Sequence, residues 1–228
     1  MPSQEIYSQH ADEYEQLVSH EDYRGNILPA LNRIRPLAGL DVIEFGAGTG
    51  RLTRLIAPAV KSVQAFDASL NMLQVARAVL ERSGHSNWHV AVGDHRHLPV
   101  SSQIADAGLA GWTIFQFLVW SEPNWQSEAE QVLAEMRRVV RPGGTIIILE
   151  TLGTGFETPH PMDKLTAYYS FLEEAGFSST WIRTDYQFES VAEAKAHISF
   201  FFGTDIAQQI VKQDRKIPEC TGIWWLNV

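Results

Sequence analysis

Short apolar runs alternate with amphipathic stretches along most of this chain. The runs predict five strands, over residues 41–45, 62–66, 88–92, 104–110 and 145–150. Between the runs, apolar residues recur at i, i+3 and i+4 and predict three helices. Their apolar stripes are Leu52, Leu55 and Ile56; Leu70, Leu73, Ala76, Val79 and Leu80; and Val132, Leu133, Met136, Val139 and Val140. Such strand–helix alternation is typical of a mostly parallel, doubly wound α/β sheet with helices on both faces.

The two ends of the chain add elements to this sheet. Apolar positions within residues 1–38 predict two helices that cover it. After Glu150, the pattern predicts helices over 165–175 and 191–202 and strands over 181–188 and 221–228. We expect the two strands to form an antiparallel C-terminal edge of the same sheet, so that residues 1–228 make one domain.

A glycine-rich turn, Gly46-Ala47-Gly48-Thr49-Gly50, joins the first strand to the helix that begins at Arg51. Glycines let the backbone turn tightly and let a ligand approach it closely. A dinucleotide fingerprint needs a third glycine three positions after the second, but that position is Arg51 and the glycine comes one residue early. A phosphate-binding P-loop needs Gly-Lys-Ser or Gly-Lys-Thr, which does not occur. The turn therefore predicts a nucleoside site without phosphate-binding features.

Two aspartates follow the next two strands. Asp67 lies about 20 residues after Gly46, the spacing at which a carboxylate reaches the hydroxyls of a ribose. It would repel a 2′-phosphate, which disfavours NADP. Asp94, preceded by Gly93, follows the third strand. Asp67 alone is equally compatible with a helix N-cap and Asp94 alone with a turn, but their joint position at the carboxyl edge of the sheet, where ligands bind, predicts a site.

Composition and charge narrow the function. Apolar residues make up 45% and charged residues 20% of the 228 residues, as in ordinary globular proteins. A single cysteine, Cys220, excludes an internal disulfide or a multi-cysteine zinc site. The net charge of −9 disfavours a nucleic-acid partner. No apolar run approaches the roughly 18 residues of a membrane span, and the start has no secretory pattern, so we expect a soluble cytoplasmic protein with a small-molecule substrate.

Four motifs together resemble one enzyme family. They are Glu44-x-Gly46-x-Gly48-Thr49-Gly50, Asp67-Ala68-Ser69, Gly93-Asp94-x-x-x-Leu98-Pro99 and Arg138-Val-Val-Arg-Pro142-Gly143-Gly144. This combination resembles the class I S-adenosylmethionine-dependent methyltransferases, and more narrowly the small-molecule methyltransferases of the ubiquinone-biosynthesis-like type. The resemblance is strong over residues 40–152 and weak towards the ends. It implies a Rossmann-like fold with a helical lid (1–38), a cofactor-binding core (39–152) and C-terminal helices and strands (153–228).

The resemblance also implies residue roles. Asp67 would bind the ribose diol, Asp94 would accept from the adenine amino group, and a tyrosine of the first helix would close over the cofactor. The cofactor-binding set it implies is Tyr14, Glu44, Gly46, Ala47, Gly48, Thr49, Gly50, Asp67, Ala68, Met72, Asp94, His95 and Ala110. The substrate-binding set is Tyr7, Trp112 and Phe115. Two positions depart from the family: His95 stands where a small residue is more usual, and Glu15 where aspartate is usual.

The functional roles of the histidines and of one aromatic segment stay open. His10, His95 and His97 are candidates for a general base, although each also fits an ordinary surface or loop histidine. Phe115, Phe117 and the neighbouring Trp112 and Trp120 fit either an aromatic acceptor pocket or core packing. No metal site is expected, because His85, His89, His160 and His197 show no i, i+4 pairing or carboxylate neighbour that indicates one.

The function expected from these features is methyl transfer from S-adenosylmethionine to a small acceptor by in-line attack. One alternative is an NAD-dependent oxidoreductase, which Arg51 at the third glycine position disfavours. Another is a non-catalytic module that binds S-adenosylmethionine. The acceptor, the methylated atom and the choice between monomer and homodimer stay open.

Overall fold

The computed structural model describes residues 7, 9–116, 123–211 and 214–228. Phe117 and Trp120 therefore lie outside the described residues. The strands are β1 (Asp41–Phe45), β2 (Ser62–Asp67), β3 (Trp88–Val92), β4 (Ala105–Gly111), β5 (Val140–Thr154), β6 (Ser178–Arg183), β7 (Tyr186–Gln187), β8 (Lys216–Ile217) and β9 (Glu219–Asn227). The helices are α1 (Ala11–Val18), α2 (Ile27–Ile34), α3 (Arg51–Ile56), α4 (Leu70–Glu81), α5 (Trp125–Val139), α6 (Asp163–Glu174), α7 (Val191–Phe202) and α8 (Thr204–Ile210).

Seven of these strands form one sheet in the order β3-β2-β1-β4-β5-β9-β6. Strands β1 to β5 pair in parallel, whereas β9 pairs antiparallel with both β5 and β6. Strand order reverses between β1 and β4, and in open α/β sheets this switch point is where ligands bind. The predicted doubly wound fold with an antiparallel C-terminal edge is confirmed.

Burial on both faces explains the apolar character of the central strands. In β5, Ile146 and Ile148 pack on one face with Met136 of α5, while Ile147 and Leu149 pack on the other with Leu31 of α2. A strand covered on both faces has no solvated side, so its sequence is continuously apolar.

The prediction of one strand over 181–188 is wrong. β6 ends at Arg183, and β7 pairs with β8 in a separate two-stranded sheet. The extended strand is interrupted between β6 and β7. There the carboxylate of Asp185 accepts hydrogen bonds from the side chain of Arg183 and from the backbone N–H of Glu219. Helix α8 was not predicted, and β5 is longer at both ends than the predicted 145–150.

The N-terminal helices occupy the predicted positions. Leu17 of α1 packs in a separate apolar cluster with Phe188 and with Ala194 and Ile198 of α7. This contact holds α1 and α7 side by side. Over the described residues, none of the helices combines the length and the apolar character needed to cross a membrane.

Candidate functional site

The glycine turn after β1 depends on backbone conformations that favour glycine. Gly46, Gly48 and Gly50 have φ values of +70°, +54° and +83°, in the left-handed region that costs other residues free energy. A Cβ at Gly46 would lie 2.2 Å from Oγ1 of Thr113, so no larger residue fits there. A Cβ at Gly48 would meet only Tyr14 within 4 Å, at 3.9 Å. The turn therefore presents an open backbone surface beneath the ring of Tyr14.

Asp67, the last residue of β2, is bound to this turn. Its Oδ2 accepts a hydrogen bond of 2.8 Å from the N–H of Gly48, and its Oδ1 accepts one of 2.8 Å from the N–H of Ser69. Burial raises the pKa of Asp67 above its ordinary value, while the two backbone donors oppose that shift. Each carboxylate oxygen keeps a further lone pair, so the group remains able to accept from two hydroxyls.

Glu44 lies beneath the turn, with its side chain buried. Its carboxylate accepts a hydrogen bond from the hydroxyl of Thr53 in α3, and burial raises its pKa to about 8. A protonated Glu44 places no charge under the turn at neutral pH. Its observed contact is thus a tie between β1 and α3, and the cofactor contact expected of it stays a prediction.

At the end of β3, Asp94 is exposed and held by Arg96. Its carboxylate accepts from Nε of Arg96 at 2.8 Å and from the N–H of Arg96 at 2.9 Å. The Arg96 side chain lowers the pKa of Asp94 to about 2. Asp94 is therefore ionised, but an adenine amino group would compete with Arg96 for it. The neighbouring His95 has a lowered pKa because of burial, which the carboxylates of Asp67 and Asp94 oppose.

Helix α1 closes over the turn through polar contacts. Glu15 accepts a hydrogen bond of 2.5 Å from the hydroxyl of Thr49 and pairs with Nη1 of Arg54 at 2.9 Å. Glutamate at this position, where aspartate is usual in the family, thus reaches both the turn and α3. The Tyr14 ring lies 5.4 Å from that of Tyr7, and the backbone carbonyl of Tyr7 accepts from the hydroxyl of Ser69.

A cavity of about 620 Å³ lies beyond the turn. All three residues expected to bind substrate, Tyr7, Trp112 and Phe115, line it, as do Tyr14 and Arg51. Its remaining lining residues are Leu17, Val18, Glu21, Thr151, Gly153, Thr154, Gly155, Phe156, His160, Pro161, Met162, Asp163, Tyr186, Phe201, Phe202, Ile206, Gln209 and Glu219. Most are aromatic or aliphatic, so the cavity suits a largely apolar small molecule.

One wall of the cavity carries buried charge. The Arg51 guanidinium lies 3.8 Å from the centre of the Trp112 ring and 2.8 Å from Oε2 of Glu21. Glu219 accepts a hydrogen bond of 2.7 Å from the hydroxyl of Thr151, and burial raises its pKa to about 8. Nη2 of Arg51 and Oε2 of Glu219 are buried without a hydrogen-bond partner among the described residues. Arg51 and Glu219 both line the cavity, so this wall is a polar part of its surface.

The other residues expected to bind the cofactor, Met72, Ala110 and Ala68, differ in how deeply they are buried. Met72 is buried and Ala110 lies inside β4, whereas Ala68 is exposed beside Asp67. Glu21, Tyr186 and Glu219 also line the cavity. They could not be predicted from the sequence, because they come from distant segments and form no local motif.

The histidine candidates for a general base do not line the cavity. Nδ1 of His10 lies 3.3 Å from Glu13, His95 packs near Asp67, and His97 is exposed. A catalytic role for any of them stays a prediction. The histidine that does line the cavity is His160, whose ring stacks on Phe156 at 4.0 Å between centroids.

The statement that His197 has no i, i+4 or carboxylate neighbour is wrong. Nε2 of His197 lies 4.0 Å from Oε1 of Glu193, one turn earlier in α7. His20 reaches the same carboxylate from the end of α1, at 3.5 Å. Glu193 and His197 are four residues apart in the sequence, and tertiary packing adds His20 to them. The expectation of no metal site did not include these contacts.

The fold and the carboxyl-edge site define a Rossmann-like α/β protein with a nucleoside-type site at the switch point. Comparison with known proteins extends this result: residues 42–144 match the family model described as a methyltransferase domain. This segment includes the glycine turn, Asp67, Asp94 and the Pro142-Gly143-Gly144 turn. Over this segment the chain is therefore similar to methyltransferase domains.

Individual proteins to which the chain is similar are also methyltransferases. The chain is 33% identical over 113 residues to a demethylmenaquinone methyltransferase of Tropheryma whipplei, covering 50% of this chain and 42% of that protein. It is 31% identical over 138 residues to a malonyl-[acyl-carrier protein] O-methyltransferase of Salmonella typhimurium, covering 60% and 48%. The chain thus spans about half the length of these curated relatives. A crystal structure of a SAM-dependent methyltransferase from Aquifex aeolicus shares the fold, with a TM-score of 0.60 at 16% identity over 96% of this chain and 97% of that one.

Proposed function

We propose that this protein transfers a methyl group from S-adenosylmethionine to a small-molecule acceptor bound in the 620 Å³ cavity. The observation that carries the proposal is the shared boundary between the glycine turn and the cavity. Tyr14 lies over Gly48 and also lines the cavity, and Arg51 follows Gly50 directly and lines it too. A cofactor on the turn would therefore meet an acceptor in the cavity.

The residues at the turn fit an adenosyl group. Gly48 offers a backbone that a ligand can approach, and Asp67 retains lone pairs on both oxygens for the two hydroxyls of a ribose. Ala68 precedes α4 and Met72 lies in its first turn, and we expect both beside the adenine. Asp94 would bind the adenine amino group only by sharing its oxygens with Arg96.

Bound S-adenosylmethionine supplies a methyl group that is already activated, so the chemistry is the cofactor's. What the chain contributes is alignment and exclusion of water. Such positioning is worth roughly 7–11 kcal/mol of the barrier in favourable cases. Trp112 and Phe115 flank the acceptor side, while Tyr7 and Tyr14 of the lid cover the turn. The need for a general base depends on the atom that is methylated, and we assign no residue to that role.

The cavity walls indicate what kind of acceptor fits. We propose a flat, largely apolar molecule with polar atoms at one end. Aromatic rings such as Trp112 and Phe201 would contact its faces, while the guanidinium of Arg51 and the carboxyl of Glu219 would bind the polar end. Because its pKa is raised to about 8, Glu219 is mostly protonated at neutral pH and donates a hydrogen bond.

Calorimetry with S-adenosylmethionine and S-adenosylhomocysteine tests the cofactor site. Asp67→Asn should weaken binding of both at least tenfold, because an amide has one acceptor oxygen and loses charge-assisted bonds worth about 1.5–3 kcal/mol each. The control is Asp214→Asn, a change at an exposed carboxylate outside the site, which should leave affinity unchanged. Equal affinities in all three proteins would remove Asp67 from the site.

The two alternatives have separate tests. Fluorescence titration with NADH distinguishes the oxidoreductase, which would bind NADH and not S-adenosylmethionine. Incubation with methyl-labelled cofactor and a panel of phenols, amines and carboxylates distinguishes the non-catalytic module. We expect labelled product from the panel, whereas cofactor binding without product formation from any acceptor would favour the module.

We also propose that residues 1–228 work as one domain, as a monomer or homodimer, without a nucleic-acid or membrane partner. Packing of α1 against α7 and of Glu15 against the turn supports a lid that belongs to the core. Light scattering during gel filtration measures the oligomeric state, and a filter-binding assay with duplex DNA should show no retention.

A further inference from the structure

A second cluster of potential ligand side chains lies outside the cavity, between α1 and α7. It consists of His20, just after α1, and Glu193 and His197, which stand four residues apart on one face of α7. One potential ligand atom from each lies within 4.8 Å of the others. Oε1 of Glu193 is 3.5 Å from Nε2 of His20 and 4.0 Å from Nε2 of His197.

His20 and Glu193 are each oriented by a second contact, made by the side-chain polar atom that does not face the cluster. Nδ1 of His20 lies 2.9 Å from the carbonyl oxygen of Gln187. A carbonyl only accepts, so Nδ1 carries a proton, and Nε2 is the ring nitrogen that faces Glu193. Oε2 of Glu193 accepts a bond of 2.7 Å from the N–H of Glu189, which leaves Oε1 for the histidines. Such outer contacts fix metal-ligating histidines and carboxylates in known sites.

The histidine rings are held in place by a shared aromatic neighbour. The ring of Phe188 lies 4.7 Å from that of His20 and 5.8 Å from that of His197, measured between centroids. All three side chains of the cluster are partly buried, with exposed fractions of 19–31%. The ligand atoms therefore converge from ordered side chains.

The charges within the cluster favour a cation over a simple ion pair. One carboxylate neutralises only one imidazolium, yet two imidazoles face it. A neutral imidazole is the form that binds a metal. Two histidines and one carboxylate are a donor set that Zn²⁺ accepts, with the fourth tetrahedral position left for water. A tetrahedral ion at about 2.0–2.1 Å from each ligand needs ligand atoms about 3.3 Å apart, which small side-chain rotations supply.

We propose that His20, Glu193 and His197 bind Zn²⁺ or a similar divalent transition-metal ion that links the end of α1 to α7. These helices also carry residues of the cavity wall, Leu17 on α1 and Phe201 on α7. The ion would thus hold together the two helices that close the cavity. The proposal depends only on this cluster and is independent of the proposed methyl transfer.

The test uses the full chain without a polyhistidine tag, freed of metal by chelation. Titration with Co²⁺ should give the visible spectrum of a tetrahedral ion at one equivalent, without a thiolate charge-transfer band, because Cys220 is buried elsewhere. Zn²⁺ should displace it. An octahedral spectrum, or no saturation near one equivalent, would overturn the proposal.

Variants separate this site from other histidines. His197→Ala and Glu193→Gln should each weaken Zn²⁺ binding at least ten- to a hundredfold, the range seen when even outer contacts of a metal site are lost. His89→Ala, at an exposed histidine of β3, is the matched control and should bind like the unaltered chain. Equal affinity in all of these proteins would reduce the cluster to an ion pair.

Thermal unfolding provides a second readout that does not depend on the spectrum. Zn²⁺ should raise the Tm of the unaltered chain and of His89→Ala, because a ligand that binds only the native state stabilises it. It should not raise the Tm of His197→Ala. Circular dichroism of the metal-free variants checks that each is folded before the comparison, and Glu193→Gln repeats the test if His197→Ala does not fold.

Discussion

Glu150, at the end of the apolar part of β5, makes protein stability depend on pH. Its side chain is fully buried. Oε1 accepts hydrogen bonds from the N–H of Phe115 at 3.1 Å and from the hydroxyl of Tyr168 at 3.2 Å. Burial raises the pKa of Glu150 to about 8, and the hydrogen bonds from the two donors offset only part of that increase. The perturbation that isolates this group is Glu150→Gln, which keeps the shape and removes the titration.

The sign follows from proton binding. Below the pKa of the unfolded chain, about 4.5, Glu150 is protonated in both states and its proton does not alter stability with pH. Above it, the unfolded state loses the proton while the folded state retains it until about pH 8. The free energy of unfolding therefore falls by about 1.4 kcal/mol per pH unit from this group. Between pH 5.5 and 7.5 the loss is about 3 kcal/mol.

Urea unfolding of both proteins at pH 5.5, 6.5 and 7.5 measures this effect. The free energy of unfolding of Glu150→Gln, relative to the unaltered chain, should rise by about 3 kcal/mol across the range. Glu44 and Glu219 titrate in both proteins and cancel in the difference. A constant offset from the amide group also cancels. Parallel pH profiles would refute the reasoning, because they would show that Glu150 is ionised in the folded state or accessible to water.

Two further changes test the turn and the cavity wall. Gly46→Ala should lower the free energy of unfolding by about 3 kcal/mol, because it adds left-handed strain and an overlap with Thr113. In urea unfolding, the added change Thr113→Gly should recover only the part of the lost free energy that comes from the overlap. A Gly46→Ala variant as stable as the unaltered chain would contradict this geometry. Arg51→Met should destabilise the chain by about 3–5 kcal/mol, because Glu21 keeps an unpaired buried charge. Adding Glu21→Gln should recover most of that loss, and no recovery would contradict the pairing.

Local pattern was enough to predict most elements. Strands 41–45 and 88–92 and helix 191–202 have the predicted limits, because their apolar periodicity is unbroken and their ends coincide with turn residues. Residues 181–188 have the same β-forming character, yet they split. A hydrogen bond from the backbone N–H of the distant Glu219 to Asp185 accompanies that break, and the sequence carries no local sign of such a partner.

Some residues of the candidate site could also be predicted from local sequence, whereas others could not. The turn and Asp67 were predictable because parallel strands place their carboxyl ends at one edge, so spacing along the chain translates into proximity. The buried wall formed by Glu21 and Glu219 was not, since its members are nearly 200 residues apart. Two of the three side chains of the proposed metal site are recognisable in the sequence as Glu193-x-x-x-His197, whereas tertiary packing brings the third, His20, to them.

A crystal structure grown with S-adenosylhomocysteine would locate the cofactor relative to the glycine turn. We expect the ribose hydroxyls within hydrogen-bond distance of Asp67, the backbone of the Gly46–Gly50 turn against the amino-acid portion, and the sulfur directed towards Trp112 and the cavity. A carboxyl edge with no nucleoside at saturating ligand, with Asp67 bonded only to Gly48 and Ser69, would contradict this expectation.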